Sequence, residues 1–422
     1  MRIEHLTLKN FNGFGSCELE FNPKFNLLVG DNASGKTTVL DALSIAVDSW
    51  ILGITGNEKA GGIDPDQVRV VAHRHEDSFS FEKQWPSRIE ARGLVMRNQL
   101  TWARELSRKG GRTTYAEASN IFGAASGAAR KVREGEDITL PLICSYGTER
   151  LWFETRHRKS KKKVEGINLL PSRLDGYRDC NSFEIQETEL LKWIRAEFLA
   201  GLQRRQETVA FRAARDAITS CVESAATLYW DERYGDLVVT MEQLGQQLFK
   251  NLSDGQRIVL TLVGDLAKRA ATLNPHLGDT VLEMTPGVVL IDELDLHLHP
   301  KWQRHVIRDL KKTFPAIQFI ATTHSPQLIG EAQPEEIIRL GGQPPNPAQS
   351  FGMNSDWILK HVMGASERDP SVKAKLVEVE QLINDFKLDE ARVKVDELRS
   401  EIGNDPDLVR FSARIDRFEK TR

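Results

Sequence analysis

The chain has 422 residues, 40% of them hydrophobic and 28% charged, and its 57 Lys+Arg against 60 Asp+Glu leave a net charge of −3. That length can bury large cores and sets an expectation of two or three domains, while the charge balance excludes a global field that would draw the protein to nucleic acid or anionic lipid. The four cysteines, Cys17, Cys144, Cys180 and Cys221, form no CxxC pair, which disfavours a zinc site or a disulfide framework.

The first residues, MRIEHLTLKNF, carry no signal-peptide apolar region. No apolar run is expected to approach the roughly eighteen residues of a membrane span. The expected compartment is reducing and cytoplasmic, with no membrane association. Residues 3–8 read as a strand, Asn10-Phe11-Asn12-Gly13-Phe14 as a turn, and residues 17–21 as a second alternating segment. Residues 25–29 form a short apolar strand, and residues 37–47 repeat apolar positions at helical spacing.

Between that strand and helix stands Gly30-Asp31-Asn32-Ala33-Ser34-Gly35-Lys36-Thr37, which fits GxxxxGK[ST] at every fixed position, with Thr38 following. The glycines let the backbone wrap a polyphosphate, and successive N–H groups at a helix N-terminus face its negative charge. Lys36 supplies a point charge for the β and γ oxygens, and the Thr37 hydroxyl is suited to ligate Mg²⁺. Strand, loop and helix in the right order make a chance glycine-rich turn the poorer explanation.

After the breaker cluster Gly61-Gly62-Ile63-Asp64-Pro65, three β-like runs at residues 68–73, 88–95 and 100–106 are expected to form an antiparallel sheet beside the nucleotide. Residues 108–137 read as mixed helix and loop, and residues 141–145 as a buried strand leading to Tyr146-Gly147-Thr148-Glu149-Arg150. A basic run follows, Arg156-His157-Arg158-Lys159-Ser160-Lys161-Lys162-Lys163. Two readings stay open for it: a solvated loop, or a phosphate-contacting patch for DNA or tRNA that would bind backbone and not read sequence. Residues 182–224 read as a helical stretch, and residues 226–231 and 237–241 as strands.

Leu252-Ser253-Asp254-Gly255-Gln256 precedes a helix at residues 257–268. Alone it is an ordinary capped helix start. After a phosphate loop it reads as a second anion site, which would cap the γ-phosphate held by a neighbouring molecule. Val288-Val289-Leu290-Ile291-Asp292-Glu293 reads as a buried parallel strand ending in two carboxylates. Asp292 is the candidate Mg²⁺ ligand and Glu293 the candidate general base for an attacking water. In Leu294-Asp295-Leu296-His297-Leu298-His299-Pro300, Asp295 is expected to reach across a dimer. His297 and His299 read as loop and interface residues and not as a metal pair. Gln318-Phe319-Ile320-Ala321-Thr322-Thr323 is another buried strand; His324 at its carboxyl end is placed to reach the γ-phosphate.

From Asp369 on, the tail reads as helix. Val372, Leu376, Val379, Leu382, Ile383 and Phe386 form one apolar stripe, and Asp369-Pro370 and Asp405-Pro406 each cap a helix start. Gly403-Asn404 ends the middle helix, giving a helical hairpin plus a third helix.

The phosphate loop, the LSDGQ segment, the VVLIDE strand and ATTHS, in this order, resemble the ATP-binding-cassette ATPases of the RecF/SMC class. The motifs anchor residues 1–60 and 240–330. The resemblance implies an α/β ATPase head: a mixed sheet with a P-loop core plus an antiparallel β subdomain, with a helical insertion and a C-terminal helical tail. The expected divisions are residues 1–145, 146–225, 226–345 and 346–422. The resemblance assigns family roles to Lys36, Thr37, Ser253, Gly255, Asp292, Glu293, Asp295 and His324, with Gln256 and Thr38 among the nucleotide contacts. It implies ATP and Mg²⁺ at two composite sites of a head-to-tail homodimer or higher homo-oligomer. The chain departs from the family at Asn12, where Arg or Lys is common, and at Asp254, where many transporters have Gly. Gln67 and Gln84 both remain open as the family's Mg²⁺-linked glutamine.

Only about 105 residues separate Tyr146 from Leu252, too few for a long coiled-coil arm. The segment Pro171-Ser172-Arg173-Leu174-Asp175-Gly176-Tyr177-Arg178-Asp179, with Tyr146-Gly147-Thr148-Glu149-Arg150, is similar to the PtuA-like ATPases of Septu anti-phage systems. That similarity implies a multimeric ATPase controlling a separate HNH-type nuclease. The 98 residues after His324 read mostly as helix and offer no strand-borne acidic cluster, so no nuclease activity is expected of this chain alone. A RecF-like DNA-repair ATPase and a nucleotide sensor with marginal hydrolysis are the alternative functions.

Overall fold

The computed structural model describes residues 1–55, 61–76, 78–148, 172–181, 187–222, 225–341, 350–364 and 368–420. The chain divides into two compact units, Met1–Asn354 and Ser355–Arg422. The basic run at 156–163, together with Glu149 and Arg150, lies outside the described residues.

The first unit opens with strands β1 (Arg2–Phe11), β2 (Phe14–Glu20) and β3 (Phe25–Val29), followed by helix α1 (Lys36–Thr55). Next come β4 (Val70–His75), β5 (Ser78–Lys83), β6 (Ser87–Val95), β7 (Asn98–Leu106), α2 (Ser119–Arg133) and β8 (Leu142–Tyr146). Helices α3 (Glu187–Arg204) and α4 (Val209–Cys221) lead to β9 (Ala225–Asp231), β10 (Asp236–Met241), β11 (Gly245–Leu248) and α5 (Asp254–Leu273). The unit continues with α6 (Val281–Met284), β12 (Gly287–Ile291), α7 (Pro300–Gln303), α8 (Val306–Thr313), β13 (Ile317–Thr322), α9 (Pro326–Glu331) and β14 (Ile337–Arg339).

A five-stranded sheet in the order β14-β3-β13-β12-β8 carries the motifs, and all its pairings are parallel. β3, β8, β12 and β13 are buried along their whole length, which fits their mostly apolar sequences; Asn26, Ser145, Gln318 and Thr322 are polar residues buried within them. Ligands of such sheets sit beyond the carboxyl ends of the strands. A four-stranded antiparallel sheet, β2-β1-β6-β7, packs beside it. The buried Gln318 amide fastens the two together: Ile3 N–H donates to its Oε1 (2.8 Å), and its Nε2 donates to the Ile3 carbonyl (2.7 Å).

The antiparallel expectation needs correcting at one strand. β4 does not join β6 and β7; it pairs with β5 as a separate two-stranded hairpin. Neither strand holds a buried residue, whereas every second residue of β6 is buried on the core face of the sheet, where it pairs with β1 and β7. The helical stretch at 182–224 is two helices: Arg205 takes a positive φ of 51°, and the Thr208 hydroxyl then caps α4. α1 continues past residue 47 to Thr55, because Trp50, Ile51, Leu52 and Ile54 are all buried. Its stretch Lys36–Ile54 is long and apolar enough to cross a membrane, with 78% of the window buried. The polar breaks at Asp41, Ser44 and Asp48 hid this from a search for uninterrupted apolar runs.

Hydrogen bonds from buried aromatic side chains tie α1 to its surroundings. Trp102 Nε1 donates to the Ala46 carbonyl (2.9 Å), and Trp50 Nε1 donates to the Tyr177 hydroxyl (3.0 Å), which donates to the Pro141 carbonyl (2.7 Å). On the same helix, burial pushes the Asp48 carboxyl up from 3.8 to about 7, opposed by the positive charge of Arg104. An acid whose pKa rises on folding costs stability once pH passes its unfolded value, and the full cost is reached above its folded value. The stability of the protein relative to Asp48→Asn is therefore expected to fall between about pH 4 and pH 7, by at most about 4 kcal/mol. Parallel denaturant titrations of both proteins across that window check this; a pH-independent difference refutes it.

The second unit holds α10 (Ser355–His361), α11 (Pro370–Asn384), α12 (Leu388–Ile402) and α13 (Pro406–Lys420). Asp369 Oδ1 accepts from Ser371 N–H and Asp405 Oδ1 from Asp407 N–H, both at 2.8 Å, so the two Asp-Pro pairs cap as expected. Arg368, which precedes the Asp369 cap, pairs with the α13 start, reaching Asp405 at 3.0 Å and Asp407 at 2.7 Å. Leu376, Val379 and Ile383 form the core with Ala391, Val395, Phe411 and Ile415. Phe386, expected in the stripe, is 57% exposed, because the chain has already left α11 and takes a φ of 57° there.

Candidate functional site

β3 ends at Val29, and the segment from Gly30 to Gly35 turns into α1 at Lys36. The turn needs positive φ at Ala33 (66°) and at Gly35 (94°). At Gly35 the demand is double: a side chain would also collide with the Phe14 ring. The β1–β2 turn thus lies against the phosphate loop through an aromatic face. Asn12, where the family often has a cation, takes a φ of 46° and donates its N–H to the Gln67 carbonyl (2.6 Å). Asp31, Asn32 and Ala33 are exposed, and Ser34 and Thr38 are half-buried. The α1 N-terminus carries N–H groups with no partner inside the helix, which suit an anion.

Lys36 is buried, and its ammonium donates to the Gly30 carbonyl (2.7 Å) and the Asp31 carbonyl (3.0 Å). Burial lowers its pKa, opposed by the negative charges of Asp292, Asp31 and Glu293. Thr37 Oγ1 donates to Asp292 Oδ2 at 3.2 Å across 255 residues of sequence. The two motifs that sequence reading assigned to the metal therefore meet. A hydroxyl and a carboxylate are hard oxygen donors, a set that fits Mg²⁺. The other Asp292 oxygen accepts from Thr322 Oγ1 (2.5 Å), and the same hydroxyl accepts the Glu293 N–H (2.7 Å). Glu293 sits at a φ of 47°, on the turn just beyond β12. Thr322, at the end of β13, orients both carboxylate residues; nothing in its immediate sequence distinguished it.

Asp41 was also missed. It stands four residues after Thr37 on α1, the only sequence signal available, since such residues share a helix face. Burial, then the charge of Asp292, raises its carboxyl to about 6.

The Asp295 carboxylate, expected to face a second copy, has Oδ1 engaged within its own chain. It accepts from Thr323 Oγ1 (2.5 Å) and from the His324 N–H (3.4 Å). His324 follows β13 and is half-buried. Ser253 caps α5: its hydroxyl accepts from the Gln256 N–H (3.4 Å), and the Gln256 side chain accepts from the Ser253 N–H (3.0 Å). Ser253 is exposed. Gly255 lies so close to the loop after Glu293 that an added Cβ would sit 2.9 Å from the His297 carbonyl.

The side-chain carbonyl of Gln67 accepts from the Asp64 N–H, and Gln84 Nε2 donates to the Glu82 carbonyl, so each amide has a local partner. His299 caps α7 through its ring nitrogen. Among the described residues there is no group of three or more His, Cys, Asp or Glu suited to hold a metal. β8, the neighbour of β12, reaches the site through main chain, the Tyr146 carbonyl accepting the Asp292 N–H (2.8 Å). The Tyr146 hydroxyl donates to Asp265 on α5 (2.8 Å), and Arg269 pairs with the same carboxylate (2.7 Å).

Known proteins of similar sequence extend over most of the chain. It is 25% identical to the "Retron Ec83 probable ATPase" of Escherichia coli across 88% of this chain and 78% of that one. It is 26% identical to the "Septu protein PtuA" of Bacillus thuringiensis across 93% of each. Among solved structures, an SMC head bound to the C-terminal winged-helix domain of ScpA aligns at a TM-score of 0.48 and 16% identity, covering 81% of this chain and 95% of that one. Residues 25–330, from β3 through the phosphate loop and the Asp292–Glu293 strand into α9, match the family described as "AAA domain, putative AbiEii toxin, Type IV TA system", and the chain belongs to that family.

Proposed function

We propose that this protein is an ATP-hydrolysing ATPase of bacterial anti-phage defence, whose nucleotide-dependent dimerisation, or higher self-assembly, regulates a partner nuclease of HNH type. One observation carries the enzymatic part: Thr37 of the phosphate loop and Asp292 of a distant strand come together at 3.2 Å beside a buried lysine. ATP would lie along Gly30 to Thr38, its γ-phosphate near Lys36. Thr37 and Asp292 would hold Mg²⁺, which when bound neutralises charge on the terminal phosphates. Glu293 accepts the proton of the attacking water, and His324 orients the γ-phosphate from the end of β13. Ser253, exposed at a helix N-terminus, is free to meet the phosphate held by a second copy, with Gly255 and Gln256 shaping that end of α5. The resemblance to Septu and retron ATPases supports the defence role.

Steady-state phosphate release by the purified chain tests the enzymatic part. Turnover is expected with Mg²⁺ and is expected to vanish when a chelator removes it. ATP binding with no turnover under any condition would replace this reading with a nucleotide sensor. Co-expression with the neighbouring reading frame tests the partner: copurification of an HNH protein is expected, and DNA-stimulated turnover without any partner would favour repair.

A further inference from the structure

Three side chains outside the motifs' assigned chemistry, Thr323, Ser325 and Gln303, link the loop after Glu293 to the turn that carries His324. Thr323 Oγ1 donates to Asp295 Oδ1 (2.5 Å), and the Ser325 N–H donates to that same threonine oxygen (2.9 Å). Ser325 Oγ lies 2.7 Å from Gln303 Oε1 and 3.0 Å from Gln327 Oε1, and its single proton favours the shorter contact. Gln303 Nε2 closes the circuit by donating to the Leu298 carbonyl (2.9 Å) and, more weakly, to the Asp295 carbonyl (3.4 Å). Thr323 is 1% and Ser325 5% exposed, so water cannot readily substitute for a lost partner, and each bond counts for more than it would at the surface. The Gln303 amide has one orientation: its NH₂ end faces two carbonyls and its oxygen faces a hydroxyl.

We propose that Gln303, acting through Ser325 and Thr323, is a positioning residue that holds His324 and the Glu293–Asp295 loop in one fixed geometry. The two segments come from different strands, β12 and β13. Main-chain pairing joins them only as far as the Leu294 N–H on the Thr322 carbonyl (2.9 Å). Beyond that point the side-chain circuit is what keeps the histidine from drifting relative to the glutamate. Gly255 rests on the His297 carbonyl of the same loop, so the block also sets where α5 begins.

This inference rests on the ATPase reading. The experiment compares Gln303→Leu and Thr323→Val with Thr323→Ser, which keeps the hydroxyl. For the first two, kcat is expected to fall about 10- to 100-fold, the scale of an approximately 1 Å misplacement. KM for ATP should stay within about threefold, because no nucleotide contact is removed. Thr323→Ser should recover most of the turnover. The ring resonance of His324 in ¹³C-histidine-labelled protein, assigned by its loss in His324→Gln, is the second readout. It should shift or broaden in Gln303→Leu and Thr323→Val and return in Thr323→Ser. Wild-type kcat with an unmoved His324 resonance in both deletion variants overturns the proposal. If the wild-type chain itself turns over no ATP, it is the ATPase reading that fails. The His324 resonance then still decides the positioning claim, an unmoved signal overturning it.

Discussion

Glu293→Gln is expected to lower ATP turnover by about 10²- to 10⁴-fold, the usual contribution of a general base, while ATP binding survives. The substitution keeps shape and removes the negative charge together with the capacity to accept a proton. The main-chain position is held independently of the side chain, by the Glu293 N–H on Thr322 Oγ1 (2.7 Å) and by the Leu294 N–H on the Thr322 carbonyl (2.9 Å). Glutamine tolerates the left-handed φ of 47° no worse than glutamate. Lys36, Thr37 and Asp292 keep their partners, so affinity should match or exceed that of the wild type, since one negative charge near the phosphates is gone. With hydrolysis blocked, the closed assembly should accumulate. Phosphate release, binding of a fluorescent ATP analogue and light scattering behind size exclusion measure the three effects. Turnover within tenfold of wild type would show that another group takes the proton.

Much of this site was legible in the sequence, because its main parts are of the kind that sequence records well. Buried parallel strands read as largely apolar runs, and β3, β12 and β13 are each followed by a motif whose charged or hydroxyl residues stand out after such a run. Apart from Asp41, what escaped notice was the set of neutral hydrogen-bonding residues. Thr322, Thr323, Ser325 and Gln303 matter through partners that are 28 to 30 residues apart for the threonines and 22 for Ser325 and Gln303. No local pattern encodes such pairings. Strand partners were hidden for a similar reason. Residues 68–73 alternate well enough to be a strand, but alternation says nothing of which neighbour it takes, and β5 was not seen at all. The contact of Asp295 Oδ1 with Thr323, 28 residues on, is another pairing that no local pattern records.

Ser253→Arg and Lys36→Ala should each be inactive alone and recover activity when mixed. A composite site takes its phosphate loop from one protomer and its serine from the other. Ser253→Arg fills the LSDGQ end of α5 with a bulky cation and leaves its phosphate loop intact. Lys36→Ala removes the ammonium that now rests on the Gly30 and Asp31 carbonyls and leaves its serine intact. In a mixed dimer one of the two sites combines both defects and the other has neither. Random pairing of equal amounts therefore predicts about one quarter of wild-type turnover per chain, from an isologous arrangement of two shared sites. Ser253 is exposed, its hydroxyl contacts Gln256 alone among the described residues, and the long arginine side chain has solvent to enter, so folding should not be the reason for failure; thermal melts of each variant verify that. The recovered activity should also fall on dilution, as the dimer dissociates, whereas a site closed within one chain would show no recovery on mixing at any concentration. Full activity of Ser253→Arg alone would mean that the exposed start of α5 is only a capped helix end, the modest role its capping box by itself supports.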